Sequence, residues 1–314
     1  MTGVRRVLFR SMKPTVTVIG GAGFIGSHLV SLLLSNNYRV ILLDDLSTGS
    51  LDNLQNDLEN PDLTVYRLDL LKHSALGLAQ LIKTSTHVFH LAAKTSVEES
   101  LADPVKYFRI NFLATVIVVE AMRLAGVKHL IFSSTSAVYG DTDSFPTPES
   151  SKLNPLSPYA LSKLTSEQFI SQQQHISSVS LRYFNVYGDR PNLKGSYRPV
   201  MSVFLEKARA GEALPIVNAG SQTRDFVNVN DVARANLAAM QITESHHVFN
   251  VGSGKELSVK QIADLISTHQ TRAADRIEPS RSLAKIDKIS TQLGWKPLVD
   301  FKEWISLRIE PQTF

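Results

Sequence analysis

Tyr159 and Lys163 stand four residues apart in Ser157-Pro-Tyr-Ala-Leu-Ser-Lys163. On a helix that spacing stacks both side chains on one face. A phenol normally ionises near pH ~10, but a fixed ammonium beside it favours the phenolate, a base that can take a proton from a hydroxyl at neutral pH. The same spacing arises by chance on solvated helices, so the pair signifies chemistry only in company.

That company begins with Gly20-Gly-Ala-Gly-Phe-Ile-Gly26, which follows a strand-like run and opens a helix-like one. In that context a glycine pattern reads as a dinucleotide fingerprint. Gly20, Gly23 and Gly26 allow a tight turn and close backbone approach, and Phe24 and Ile25 open a helix whose N-terminus offers N–H groups to a pyrophosphate. Asp44 ends the next strand-like run, roughly 20 residues on, where a carboxylate accepts the ribose hydroxyls. With Asp45 beside it a 2′-phosphate would be repelled, so NAD is expected rather than NADP. Asp69, with Leu70 after it, either accepts from the adenine amino group or caps a helix.

The elements that must carry these residues alternate along the chain. Short apolar runs at Thr15–Ile19, Arg39–Leu43, Leu63–Arg67, His87–Leu91, His129–Phe132 and Ser178–Arg182 are separated by helical periodicity at Ile25–Ser35, Val105–Ala125 and Tyr159–Gln174. Buried strands joined by helices predict a doubly wound parallel sheet of the Rossmann type. Past Asn185 the pattern loosens, with a helix expected over Met201–Ala210 and a strand running into a helix at Asp225–Asp231. The expected organisation is a dinucleotide-binding domain over 12–185, to which 224–250 returns, and a smaller interleaved lobe over 186–314.

The chain of 314 residues is 43% hydrophobic and 20% charged and contains no cysteine. Disulfides, thiolate catalysis and cysteine-ligated metal are excluded, and no metal site is expected. No apolar run reaches the about 18 residues of a membrane span, and no signal peptide is visible, so a cytoplasmic location is expected. The net charge of +4 owes much to Arg5, Arg6 and Arg10, so no nucleic-acid partner is expected. Residues 5–11 resemble a translated sequencing adapter, and residues 1–11 are expected to be a non-native leader before Met12.

The glycine loop, Asp44, Phe132-Ser-Ser-Thr-Ser-Ala-Val-Tyr-Gly140 and the Tyr159/Lys163 pair occur in the order found in the extended short-chain dehydrogenase/reductase family. The chain resembles that family from about Thr15 to Pro297, and within it the nucleotide-sugar 4-epimerases. His90-Leu-Ala-Ala93, Asn111, Leu181-Arg-Tyr-Phe-Asn-Val-Tyr-Gly188 and Gln222-Thr-Arg-Asp-Phe226 belong to the same resemblance. It implies that Thr135, Tyr159 and Lys163 are catalytic, and that Thr135 binds the sugar oxygen losing its proton. It places Ala92, Ala93, Asn111, Ser133 and Tyr183 along the cofactor, although an Asn within a helix is equally a satisfied polar residue. Ser134, Asn185 and Arg224 fall toward the substrate, Arg224 on its diphosphate.

Departures from the family pattern narrow the reaction. Related dehydratases and decarboxylases carry an acidic residue soon after the catalytic Thr, and here Ser136-Ala137 follows. That favours C4 epimerisation of a UDP-hexose, either the glucose/galactose or the N-acetylhexosamine pair. The alternatives are a dehydratase, decarboxylase or reductase on the same scaffold, or a silent NAD-binding protein. Arg-x-Gly-Asp, frequent near the family's C-terminus, is replaced by Asp275-Arg-Ile-Glu278, which weakens Arg276 as a second diphosphate ligand. Ser282 falls where a small residue admits N-acetyl groups. The resemblance also implies a homodimer through the helices of Val105–Ala125 and Tyr159–Gln174.

Overall fold

A computed structural model describes residues 13–191, 198–274 and 279–309. The expected leader and Arg276 lie outside them. The chain lays down β1 (Thr15–Ile19), α1 (Phe24–Ser35), β2 (Arg39–Asp44), β3 (Leu63–Arg67), α2 (Ala75–Ile82) and β4 (Ser85–His90). It continues through α3 (Val97–Ala102), α4 (Pro104–Tyr107), α5 (Ala114–Ala125), β5 (His129–Thr135), α6 (Pro158–Ser171) and β6 (Ser177–Tyr183). The lobe begins with β7 (Asn185–Tyr187), α7 (Val200–Arg209), β8 (Leu214–Ile216) and β9 (Thr223–Asn228). Then α8 (Val229–Ala239) and β10 (His246–Val251) rejoin the first half, before β11 (Glu256–Ser258), α9 (Val259–Ile266), β12 (Gln270–Arg272), α10 (Asp287–Leu293) and α11 (Phe301–Ile309).

Seven strands form one parallel sheet in the order β10-β6-β5-β4-β1-β2-β3. Successive side chains enter opposite layers. In β5, Ile131 packs with α1 and α8, whereas Leu130 and Phe132 pack with α2 and α5. The strand order reverses direction between β1 and β4, which opens a crevice at their carboxyl ends where ligands of such sheets bind.

Two expectations are refined. Residues 224–228 belong to β9, which pairs with β7 and β11 in a separate three-stranded sheet, so the return to the large sheet begins at Val229. The helix expected over Val105–Ala125 contains a π-helical stretch at Phe108–Leu113. There the Asn111 carbonyl accepts from Thr115 Oγ1 at 2.6 Å and from Ser166 Oγ at 3.3 Å. Hydroxyls thus occupy a carbonyl that a regular helix gives to an amide, and the backbone widens around it.

Candidate active site

The Tyr159 helix starts where its sequence says it must. Ser157 caps α6 by accepting from Ala160 N at 3.2 Å, and Pro158 fills the first position, where a missing N–H costs nothing. Tyr159 therefore sits in the first turn, Lys163 one turn on and Glu167 a turn beyond. Tyr159 is half-buried, with its ring edge-to-face with Tyr107 at 6.4 Å. Lys163 is 2% exposed, and its Nζ lies 4.2 Å from the centre of the Phe132 ring on β5. Burial pushes the lysine pKa down to about 7, with Glu167 opposing the shift.

Thr135 is the last residue of β5. Its Oγ1 accepts from Ala137 N at 3.2 Å, which caps a short 3-10 turn over Ser136–Tyr139. The hydroxyl's own proton is left to donate. Ser136, Ala137, Val138 and Tyr139 bring no carboxyl group to this strand end.

The glycine loop is built by close approach. A Cβ on Gly20, whose φ is +82°, would stand 2.5 Å from Ala92 N, and one on Gly26 would stand 2.1 Å from Gly20 O. Ala92 N donates to Ile19 O at 3.0 Å, so the Ala92-Ala93 segment lies against the loop. Gly23 caps α1 without a side chain, leaving the helix's first N–H groups to an incoming anion. Asp44 holds the loop as well as facing it, since its carboxylate accepts from Ala22 N at 2.9 Å and Leu46 N at 2.8 Å. Burial raises its pKa, and those two donors oppose the rise. A side-chain-free cradle at a helix start, closed by a carboxylate on the next strand, fits the diphosphate and ribose of NAD.

Other expected site residues have mainly internal partners. Asp69 caps a short 3-10 turn, accepting from Leu71 N at 3.0 Å through one carboxylate oxygen, and Leu70 is buried in the core. Asn111 clamps the loop after β4, accepting from Lys94 N at 2.9 Å and donating to Lys94 O and Ser162 Oγ, both at 3.0 Å. Ser133 shares a hydrogen bond of 3.0 Å with Tyr183, which donates to Asn236 at 3.0 Å. Ser134, expected to face a substrate, instead donates inward to Glu167.

That inward contact reveals what sequence reasoning missed. Glu167 and Arg182, about 6% and 4% exposed, form a forked ion pair across α6 and β6. Arg182 also donates to Tyr139 OH at 3.0 Å, and Tyr139 donates to Asn250 at 2.6 Å. The network pins α6 to β5, β6 and β10, and so fixes where Tyr159 and Lys163 stand. The signal was the one charged residue in a strand of otherwise uncharged residues, which requires a partner if buried, and a Glu one turn past Lys163.

The lobe presents a second seam. Arg224 lies on β9, Ser282 N donates to Thr223 O at 3.1 Å, and Asn185 donates to Asp225 O at 3.3 Å. Asp225, fully buried, accepts from Ser253 N and Oγ, Gly254 N and Ala284 N. It draws the segment after β10 and the Ser282–Ala284 segment to β9. Among the described residues no three His, Asp or Glu side chains cluster to hold a metal, and no helix is long and apolar enough to cross a membrane.

The family profile described as the NAD dependent epimerase/dehydratase family matches residues 16–252. A putative UDP-glucose 4-epimerase of Methanocaldococcus jannaschii is 37% identical over 92% of this chain and 95% of its own length. A UDP-N-acetylglucosamine 4-epimerase from Methanobrevibacter ruminantium, solved with UDP-N-acetylmuramic acid, superposes with a TM-score of 0.88 at 33% identity, covering 95% of this chain and 97% of that one. The Thermus thermophilus UDP-glucose 4-epimerase in complex with NAD gives a TM-score of 0.84 at 33% identity, covering 94% and 98%. By matched length, strand order and glycine cradle, this chain belongs to the NAD dependent epimerase/dehydratase family.

Proposed function

We propose that the chain is an NAD-dependent epimerase that inverts C4 of a UDP-hexose through a transient 4-keto sugar. The observation that carries this reading is the strand end at Thr135. Its hydroxyl caps the turn that follows, that turn supplies no additional acid, and Lys163 of the Tyr159 helix packs on Phe132 of the same strand, which supports the reading. Bound NAD supplies the hydride acceptor that makes oxidation at C4 reversible.

Tyr159 takes the C4 hydroxyl proton as the carbon is oxidised and returns it after the sugar has turned over. Lys163, one turn further along α6, stabilises the phenolate in its own protonated form, a form that burial opposes and that the phenolate charge would in turn favour. Thr135 donates its free hydroxyl proton to the C4 oxygen and keeps it in place in both orientations. Gly20, Gly23 and Gly26 with Phe24 and Ile25 hold the diphosphate of NAD, and Asp44 its adenine ribose. Arg224 holds the UDP diphosphate with a planar fork suited to phosphate oxygens.

Incubation with UDP-glucose, or with UDP-N-acetylglucosamine, and separation of the sugar products tests the assignment. The C4 epimer is expected without net NADH release; a deoxy-keto sugar or a pentose as the only product would overturn it. The small Ser282 side chain favours acceptance of the N-acetyl substrates.

A second copy is the proposed partner for the outer face of α3 to α6. These helices expose Leu101, Val105, Leu113 and Leu161, and Val105 and Leu113 line a groove of about 370 Å³ with Pro104, Phe108 and Phe112. Sedimentation should give a dimer that Val105→Glu dissociates; a wild-type monomer would refute this pairing. A cytoplasmic location fits the reading.

A further inference from the structure

Tyr107, the last residue of α4, is fully buried, so its ring is packed on every side. Its hydroxyl donates to Glu99 Oε2 of α3 at 3.1 Å, and Lys106 donates to the other oxygen of the same carboxylate. Glu99 N in turn donates to Ser96 Oγ, the cap of α3, at 3.1 Å. The buried phenol is thereby satisfied inside the fold, and the Glu99–Lys106 ion pair holds it without adding net charge.

The ring so held meets the ring of Tyr159 edge-to-face, with centroids 6.4 Å apart and planes at 83°. The same stretch of chain also reaches the backbone of Tyr159. Asn111, four residues past Tyr107, donates to Ser162 Oγ at 3.0 Å, and Ser162 Oγ donates to Tyr159 O at 2.7 Å. Ring and carbonyl of one residue are therefore held from a single segment, which Asn111 fastens to the loop after β4 through Lys94 N and O.

The carbonyl contact fixes the start of α6 but not the phenol, which turns about its own side-chain torsions unless a neighbour packs against the ring. Such turning changes the chemistry, because the ammonium of Lys163 favours the phenolate only while the phenol oxygen stays near it. Tyr107 does not compete as a base: burial, with the Glu99 charge adding to it, pushes its pKa up to about 12.

We propose that Tyr107 is a positioning residue that holds the Tyr159 ring beside Lys163, an inference that rests on Tyr159 as the base of the C4 reaction. Its ring is the wall, and α3 and α4 are the buttress behind it.

Phenolate absorbance is titrated in NAD-loaded wild type, Tyr107→Phe and Tyr107→Met, each read against the same protein carrying Tyr159→Phe, so that the difference reports Tyr159. Tyr107→Met fills the space without a ring and should move the midpoint up by about one pH unit, the low end of what a neighbouring opposite charge supplies. Turnover of UDP-glucose at neutral pH should fall about tenfold with KM unchanged, the worth of one such unit. Tyr107→Phe keeps the buried ring and gives up the Glu99 bond; it should lose stability in denaturant yet keep the wild-type midpoint, a separation that a purely structural role does not produce. Tyr107→His, whose shorter ring recedes from Tyr159, should shift the midpoint in the same direction as Tyr107→Met and carries the test should that variant fail to fold. An unmoved or lowered midpoint without the tyrosine ring, or an equal shift in Tyr107→Phe, overturns the role. A wild-type Tyr159 that ionises as in the unfolded chain overturns both the role and the base. Absence of the C4 epimer alone overturns the epimerase reading and leaves the positioning role standing, because the absorbance is read without turnover.

Discussion

Glu167 and Asp225 are both buried carboxylates, one in each half of the molecule, and they are satisfied in opposite ways. Glu167 faces a guanidinium, whereas Asp225 is held by backbone N–H groups and one serine hydroxyl. Burial accordingly raises the Asp225 pKa against the pull of those donors. The difference follows from what each half does. A rigid ion pair sets the position of the helix that bears Tyr159 and Lys163, while a carboxylate with several neutral donors gathers separate segments around β9.

The sharpest break between the halves should be in chemistry. Tyr159→Phe removes the proton acceptor and is expected to lower turnover by about 10²- to 10⁴-fold, the usual worth of a positioned acid–base group. Equilibrium binding should show NAD and UDP still bound; wild-type turnover would exclude Tyr159 as the base.

Stability should separate the two carboxylates next. Arg182→Met strands the Glu167 charge and should cost about 3–5 kcal/mol in denaturant unfolding. Asp225→Asn keeps one acceptor oxygen but sets an amide against the Gly254 and Ala284 N–H groups, at about 2–3 kcal/mol. The reverse ranking would mean that the ion pair is not the stronger constraint.

The smallest effect is a pH dependence near the catalytic pair. Burial lowers the Lys163 pKa to about 7 in the fold, against ~10.4 in the unfolded chain, so between those values the unfolded chain binds more protons. Its contribution therefore makes the fold more stable as pH rises through that window. Lys163→Met should remove this rise, read as the difference between the two stability–pH curves; parallel curves would show that Lys163 stays charged when buried.

The large sheet was legible in the sequence because its strands are short runs rich in β-branched and apolar residues separated by helical periodicity, and the six expected runs lie within a few residues of β1 to β6. The π-helical stretch was hidden, since it depends on Ser166 from another helix reaching the Asn111 carbonyl. Ser134 likewise looked like a site hydroxyl, because nothing local shows that its neighbour across the sheet is Arg182 and that Glu167 completes the pair.

By itself the sequence determined the local chemistry: a turn that only glycine can make, a capped helix start, and a phenol one turn from an ammonium. Those depend on contacts within a few residues. Tertiary structure decided which polar groups face inward and which remain for ligands, because a hydroxyl or carboxylate is committed by partners that only folding brings within about 3 Å. It also set the ring of Tyr107 against that of Tyr159, a meeting that no local spacing encodes.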